Sequence, residues 1–143
     1  MFEDYVRRLC REMGEAAPSF QGIGVKSVFF GGGTPSILPP ALMGKIMDKI
    51  MSAYDVNSDA EISMEANPGT LDAAKLREYK SMYFNRLSMG LQAWQDRLLE
   101  RLGRIHRVGE FEDNFLQARD SGFKNINVDL MFSLPGQTLD DWQ

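Results

Sequence analysis

Apolar residues recur along the chain with two different spacings, and the two alternate from one end to the other. Runs with apolar residues at every second position, typical of strands, occupy residues 25–30, 60–65, 85–91 and 125–132. Stretches with apolar residues three and four apart, typical of amphipathic helices, occupy residues 2–16, 40–54, 71–81, 95–102 and 109–121. Glycine and proline separate these elements, and Thr70 is the predicted N-cap of the third helix.

The alternation of strands and helices indicates an α/β fold in which helices connect parallel strands through right-handed crossovers. We expect a TIM-like (β/α) barrel, whole or partial, with about four parallel strands in this chain. A doubly wound open sheet is the alternative. In both folds ligands bind at the C-terminal ends of the strands, so functional residues are expected at that edge of the sheet.

Composition narrows the class of protein without identifying a function. The 143 residues, enough for one domain, are 43% apolar and 25% charged, with a net charge of −4. This acidic balance argues against a nucleic-acid surface, which requires clustered lysine and arginine. No apolar stretch approaches the ~20 residues of a membrane span, and the first residues lack a signal-peptide pattern. The single cysteine, Cys10, excludes an internal disulfide and fits a cytoplasmic protein.

Glycine or polar residues stand at the C-terminal end of each predicted strand. The first strand ends in three glycines, which expose backbone and are typical of close approach by another group. On the fourth strand, Asn127 and Asp129 alternate with apolar residues that would pack against helices. The candidate binding positions are Gly31–Thr34, Glu65, Gln92, Arg104 and Asp129. They suit a zwitterionic ligand with hydroxyl groups, such as a nucleoside joined to an amino acid. The chain has no GxGxxG motif for a nicotinamide dinucleotide.

Each candidate side chain also has a purely structural explanation. Asp129 could form an internal salt bridge with Arg86, and Glu65 could accept hydrogen bonds from the turn that follows it. Gln92 could cap the short helix after its strand, and Arg104 could interact with the macrodipole of that helix. The convergence of these residues on one edge of the sheet favours a binding site over these separate explanations.

Five motifs in order along the chain resemble those of one known family. They are Phe30–Ser36, Glu65–Thr70, Asn85–Gln92, Arg101–His106 and Asn127–Thr138. From about residue 25 to the C-terminus, the chain resembles the oxygen-independent coproporphyrinogen III oxidase family, whose members are radical S-adenosylmethionine (SAM) proteins. The second and fourth motifs are more similar to the haem-chaperone (HemW-like) branch than to the decarboxylating oxidase (HemN-like) branch.

The resemblance implies a ligand for the residues at the strand ends. Those it assigns to SAM are Gly32, Gly33, Thr34, Glu65, Gln92, Arg104 and Asp129. The backbone of the first three would hold the methionyl amino group, and the next three side chains would contact methionyl and ribose groups. Asp129 would accept a hydrogen bond from a ribose hydroxyl. In this family a [4Fe-4S] cluster supplies the electron that cleaves the sulfonium, so the cofactors carry the bond-breaking chemistry.

The sequence departs from the family at the cluster-binding loop. The family holds its cluster with three cysteines in the pattern Cys-x3-Cys-x2-Cys, whereas this chain has only Cys10. We therefore expect residues 1–143 to be a fragment of one radical SAM core domain, truncated at both ends and inactive alone. The edge left by a missing first strand would favour aggregation of the isolated chain.

Two further departures concern the backbone. Tyr83 stands where the family usually has a glycine that ends a helix in the left-handed conformation, a conformation that costs other residues about 1 kcal/mol or more. Ser133 also replaces a common glycine. Neither position belongs to the predicted binding site.

The resemblance leaves two functions open. The first is oxygen-independent oxidative decarboxylation of coproporphyrinogen III by the complete protein, an oxidoreductase of porphyrin biosynthesis. The alternative is a haem chaperone that binds haem and inserts it into a receiving protein without oxidase activity. The implied partners are a porphyrinogen or haem, and neither nucleic acid nor a membrane span is expected. His106, the only histidine, is interpreted as a hydrogen-bonding or surface residue rather than an axial haem ligand.

Overall fold

Helices and strands alternate along the chain in the computed structural model, which describes residues 1–142. The strands are β1 (Val25–Phe30), β2 (Val56–Ala66), β3 (Arg86–Gln92) and β4 (Asn125–Leu130). The α-helices are α1 (Phe2–Ala16), α2 (Pro40–Ala53), α3 (Ala73–Ser81), α4 (Asp96–Arg101) and α5 (Val108–Asp120). Single 3-10 turns occupy Ala17–Phe20 and Pro35–Ile37. Among the described residues, no helix has the length and apolar character needed to cross a membrane.

The four strands form one parallel sheet with the order β1-β2-β3-β4. Each strand lies beside the next one in the chain, as in a (β/α) barrel, whereas a doubly wound sheet reverses its strand order at a switch point. The predicted α/β fold with four parallel strands is confirmed. The strand order argues against the doubly wound alternative.

One face of the sheet is apolar and packs against the helices. Met64 on β2 and Leu87 and Met89 on β3 are 0% exposed. They share a core cluster with Met43 and Met47 of α2. Complete burial of a side chain of this size stabilises the fold by about 1.5–3 kcal/mol. This packing fixes the positions of β2 and β3 and, with them, the residues at their C-terminal ends.

The opposite face of the sheet carries polar residues at the alternate positions. The strand register places Glu65 of β2 beside Ser88 of β3, and Ser88 beside Asn127 of β4. One step further along, Gly90 lies beside Asp129. Side chains that are far apart in sequence therefore form a continuous polar row close to the C-terminal edge.

Two local predictions differ from the structure. Strand β2 begins at Val56 rather than at residue 60. The prediction missed its first residues because they have no alternating apolar pattern. Helix α3 begins at Ala73, and its N-cap is Asp72, whose Oδ1 accepts from the Lys75 amide at 2.8 Å. Thr70 was the predicted cap, but its hydroxyl instead donates to the carbonyl oxygen of Asn67 at 2.6 Å.

The backbone at the two positions where glycine is replaced is left-handed, as predicted for Tyr83. The φ angles are 72° at Tyr83 and 58° at Ser133. A third non-glycine residue in this region, Gln92, has a φ of 73° and was not expected there. Tyr83 precedes β3 and Gln92 is its last residue, so the chain is strained before and at the end of the same strand.

Candidate functional site

The C-terminal ends of all four strands surround a single polar cavity of about 230 Å³. Its lining residues are Gly33, Thr34, Glu65, Ala66, Asn67, Ser88, Gly90, Gln92, Arg104 and Asp129. Six of the seven predicted binding residues belong to this lining. The seventh, Gly32, does not line the cavity, but its amide contacts Glu65. The structure therefore brings the predicted set together at one edge of the sheet.

The glycine run after β1 forms a tight left-handed turn. The φ angles are 82° at Gly32 and 56° at Gly33, and a Cβ at either position would meet no atom within 4 Å. These two glycines are therefore required by backbone conformation rather than by crowding. The turn directs the Gly32 amide to Glu65 Oε2 at 3.1 Å. The alternative in which Glu65 accepts from the turn that follows it is wrong, because its partner lies in the turn after the neighbouring strand β1.

Asp129 is held by two neutral side chains rather than by a cation. Its Oδ2 accepts from Ser88 Oγ at 2.9 Å, and its Oδ1 accepts from Asn127 Nδ2 at 2.6 Å. The predicted alternative, a salt bridge to Arg86, is wrong because Arg86 instead lies 3.6 Å from Glu61. Within residues 1–142 no lysine or arginine nitrogen lies within 4 Å of this carboxylate. Asp129 thus has no cationic partner among these residues and has lone pairs available for a ligand.

Arg104 enters the cavity from the loop after α4. A left-handed Gly103, with a φ of 67°, turns the chain away from the helix. Arg104 Nη2 then donates to Asn67 Oδ1 at 2.7 Å and to the Gly90 carbonyl at 3.0 Å. The alternative, in which Arg104 interacts with the macrodipole of α4, is wrong because its guanidinium points across the strand ends.

Gln92 enters the cavity because β3 is irregular at its end. The pairing with β4 shifts by one residue between Gly90 and Gln92, which is a β-bulge. A Cβ at Gly90 would lie 2.6 Å from Gln92 Nε2 and 3.1 Å from Arg104 Nη2, so a side chain at this position would require the ends of both side chains to move. Gln92 does not cap α4. The N-cap residue of that helix is Gln95, whose side chain makes no capping hydrogen bond.

Four lining residues were not predicted from the sequence, and two of them, Asn67 and Ser88, have polar side chains. Asn67 Nδ2 donates to Thr34 Oγ1 at 3.0 Å, and its Oδ1 accepts from Arg104. Ser88 connects Asn127, which donates to it at 3.0 Å, with Asp129. Asn67 was missed because its Asn-Pro-Gly sequence is fully explained as a turn, and Ser88 was missed because it is a small residue in a buried strand. The only sequence signal for a role in binding was the position of Ser88 on the cavity-facing side of its strand, two residues before Gly90.

His106 lies outside the cavity, buried behind β3. Its side chain is 1% exposed, and Nε2 is 3.4 Å from the Leu91 carbonyl oxygen. Burial lowers the pKa of His106, and the nearby positive charge of Arg104 acts in the same direction, so the neutral imidazole is favoured. The prediction that His106 is a hydrogen-bonding residue is confirmed, and the alternative that it is a surface residue is wrong. Neither ring nitrogen is positioned to reach a ligand.

The cavity contains both hydrogen-bond donors and acceptors. Arg104 and Thr34 supply donors, whereas the carboxylates of Glu65 and Asp129 supply acceptors. This combination suits a ligand that carries a carboxylate together with ammonium or hydroxyl groups. In residues 1–142 no group of three or more histidine, cysteine, aspartate or glutamate side chains could hold a metal ion.

Comparisons with known proteins agree on one family. The family model of the Radical SAM superfamily matches residues 1–143. The heme chaperone HemW of Bacillus subtilis (strain 168) is 42% identical over 138 residues, covering 96% of this chain and 36% of that protein. HemW of Escherichia coli (strain K12) is 39% identical over 139 residues, covering 97% of this chain and 37% of that protein. This chain thus spans about a third of the length of these relatives.

The solved structures give the same result for the fold. Coproporphyrinogen III oxidase (HemN) from Escherichia coli, a radical SAM enzyme, superimposes with a TM-score of 0.92 at 32% identity. The match covers 99% of this chain and 32% of that chain. The four-stranded sheet is therefore part of a TIM-like barrel.

Proposed function

We propose, from the premise that this chain belongs to the Radical SAM superfamily, that the strand-end cavity binds SAM. The observation that carries the proposal is the presence of an arginine, a hydroxyl group and two carboxylates around one cavity of about 230 Å³. The methionyl part of SAM has a carboxylate and an ammonium group, and its ribose has two hydroxyls. Each of these groups has a complementary residue in the cavity.

The proposed assignment of ligand groups follows the chemistry of each side chain. Arg104, which makes hydrogen bonds only to neutral acceptors in residues 1–142, pairs with the methionyl carboxylate. Glu65 and the backbone of the turn Gly32–Thr34 hold the ammonium group. Asp129 accepts from a ribose hydroxyl, and Gln92 completes the polar contacts. These residues bind and orient SAM, which when bound supplies radical chemistry through reductive cleavage of its sulfonium.

The residues of this chain do not fit a [4Fe-4S] cluster. Three thiolates are required to hold one, and the sequence contains only Cys10. Its sulfur lies 3.7 Å from the Lys45 carbonyl oxygen, where α1 packs on α2.

We propose further that the complete protein handles haem as a chaperone and delivers it to a receiving protein. The relatives named heme chaperone favour this function. The structural match to HemN supports the second candidate, oxidation of coproporphyrinogen III. Haem titration of the full-length protein separates the two: a Soret shift at micromolar haem is expected. The absence of a shift, together with decarboxylation of coproporphyrinogen III, would contradict the chaperone function.

The substitution Asp129→Ala in the full-length protein tests the SAM site. Loss of a charge-assisted hydrogen bond costs roughly 1.5–3 kcal/mol, so we expect the Kd for SAM to rise by one to two orders of magnitude. Isothermal titration calorimetry measures the change. The matched control is Glu61→Ala, which removes a carboxylate from the same strand as Glu65 but outside the cavity. Unchanged SAM affinity in a folded Asp129→Ala protein would refute the proposed ribose contact.

A further inference from the structure

We propose that Asn67 is a positioning residue that directs Arg104 and Thr34 toward the carboxylate of the bound ligand. This inference rests on the proposed binding of SAM in the cavity. Asn67 lies in the turn after β2 and contacts both residues through its side-chain amide. Glu65 contacts the Gly32 amide, and Asp129 contacts Ser88 and Asn127, so neither joins Arg104 to Thr34.

The orientation of the Asn67 amide follows from its partners. A guanidinium can only donate hydrogen bonds, so the atom 2.7 Å from Arg104 Nη2 must be the amide oxygen. The amide nitrogen then faces Thr34 Oγ1 at 3.0 Å and donates to it. The reverse orientation would place two donors against each other at Arg104.

This orientation leaves both partners as donors toward the cavity. Thr34 Oγ1 accepts from Asn67, so its own proton remains free to donate to a ligand. Arg104 uses the two N–H groups of Nη2 on Asn67 and on the Gly90 carbonyl, which leaves three N–H groups for a ligand. Within residues 1–142 no carboxylate lies within 4 Å of Arg104, so its charge is not neutralised.

The backbone of Asn67 is fixed by a second group of hydrogen bonds beneath the cavity. Its amide donates to Ser36 Oγ at 3.3 Å, and its carbonyl oxygen accepts from Thr70 Oγ1 at 2.6 Å. Lys75 Nζ donates to the Ser36 carbonyl and, at 3.1 Å, to the Thr70 carbonyl. These contacts join the loop after β1 to the loop after β2, so Asn67 is held in place before any ligand binds.

The substitution Asn67→Ala in the full-length protein tests this role with two probes, SAM and decarboxylated SAM. Because Asn67 acts through the residues that face the carboxylate, we expect SAM affinity to fall about tenfold, as for loss of an oriented charged hydrogen bond. The affinity for decarboxylated SAM is expected to stay within about twofold of the wild-type value. Equal loss for both probes, or no loss for either, would overturn the proposal.

An isosteric variant separates charge from packing. Asn67→Asp keeps the shape of the side chain and the acceptor for Arg104, but it adds a negative charge that pairs with Arg104 and repels the ligand carboxylate. We therefore expect SAM affinity to fall by about tenfold or more, without weakening of decarboxylated SAM. An Asn67→Asp protein that binds SAM with wild-type affinity would show that the ligand carboxylate does not lie against Arg104.

The matched control is Asn85→Ala, at the opposite end of the strands. Asn85 also makes two hydrogen bonds through its side-chain amide, to the Ile62 amide at 2.9 Å and to the Ala60 carbonyl at 2.8 Å. We expect this variant to lower thermal stability and leave SAM affinity unchanged. Failure of the wild-type protein to bind SAM would refute the proposed function itself. Wild-type binding with no effect of Asn67→Ala would refute only the role of Asn67.

Discussion

The two ends of β3 contain the same backbone strain with different consequences. Tyr83, three residues before the strand, has a φ of 72°, and Gln92, its last residue, has a φ of 73°. Tyr83 is 62% exposed, whereas Gln92 lines the polar cavity. Left-handed backbone at a residue other than glycine costs about 1–2 kcal/mol. At Gln92 this conformation directs a side chain into the site, and at Tyr83 it does not.

The two faces of the strand between these residues have different roles. One face contributes to the stability of the fold, and the other contributes to ligand binding. Leu87, Met89 and Leu91 face the helices and are at most 1% exposed. Ser88 and Gly90 face the cavity. Because neighbouring side chains of a strand point in opposite directions, a substitution on one face should alter folding and one on the other face should alter ligand binding.

The largest expected effect comes from the helix-facing side of β3. Leu87→Ala removes a completely buried side chain and should lower the free energy of unfolding by about 2–5 kcal/mol. Urea denaturation measures this loss. The matched control is Leu116→Ala on α5, where the leucine is 60% exposed, and a change within about 0.5 kcal/mol is expected. Similar losses in the two variants would contradict the described core.

A smaller effect is expected at the cavity end of the strand. Gln92→Gly removes the side chain that reaches the cavity and should weaken SAM binding by about 3- to 10-fold, as for loss of one hydrogen bond. The same change relieves left-handed strain, so the protein should become slightly more stable. Calorimetry and urea denaturation of one sample measure both effects. A variant that binds SAM with wild-type affinity would show that the bulge at Gln92 has no role in binding.

Much of the fold was predictable because it depends on local pattern. The alternation of apolar residues identified all four strands, since each must bury one face against helices. The start of β2 was missed because Val56–Asp59 is mostly polar, and only Val56 of these residues pairs with β1, opposite Val25. A strand segment that buries little apolar surface leaves no such pattern in the sequence.

Most of the site was predictable because its residues occupy or directly follow a strand end. Glu65, Gln92 and Asp129 could be grouped because the C-terminal ends of parallel strands meet at one edge. Asn67 could not be assigned to the site, because its role depends on contacts with Thr34, which lies 33 positions before it, and with Arg104, which lies 37 positions after it. The hydrogen-bond partners of Asp129 likewise depend on strand register, which fixes Ser88 beside Asn127 and is not encoded by either residue alone.

The smallest effect is expected at the strained end that lies outside the site. Tyr83→Gly relieves about 1–2 kcal/mol of left-handed strain and adds roughly 0.5–1 kcal/mol of backbone entropy cost. The net gain in unfolding free energy should be about 0.5–1 kcal/mol, without a change in SAM affinity. Tyr83→Ala is the control, because it removes the same exposed ring but keeps the strain. If Tyr83→Ala stabilised the protein as much as Tyr83→Gly, the gain would come from loss of the ring, and the two ends of β3 would no longer share a common backbone strain.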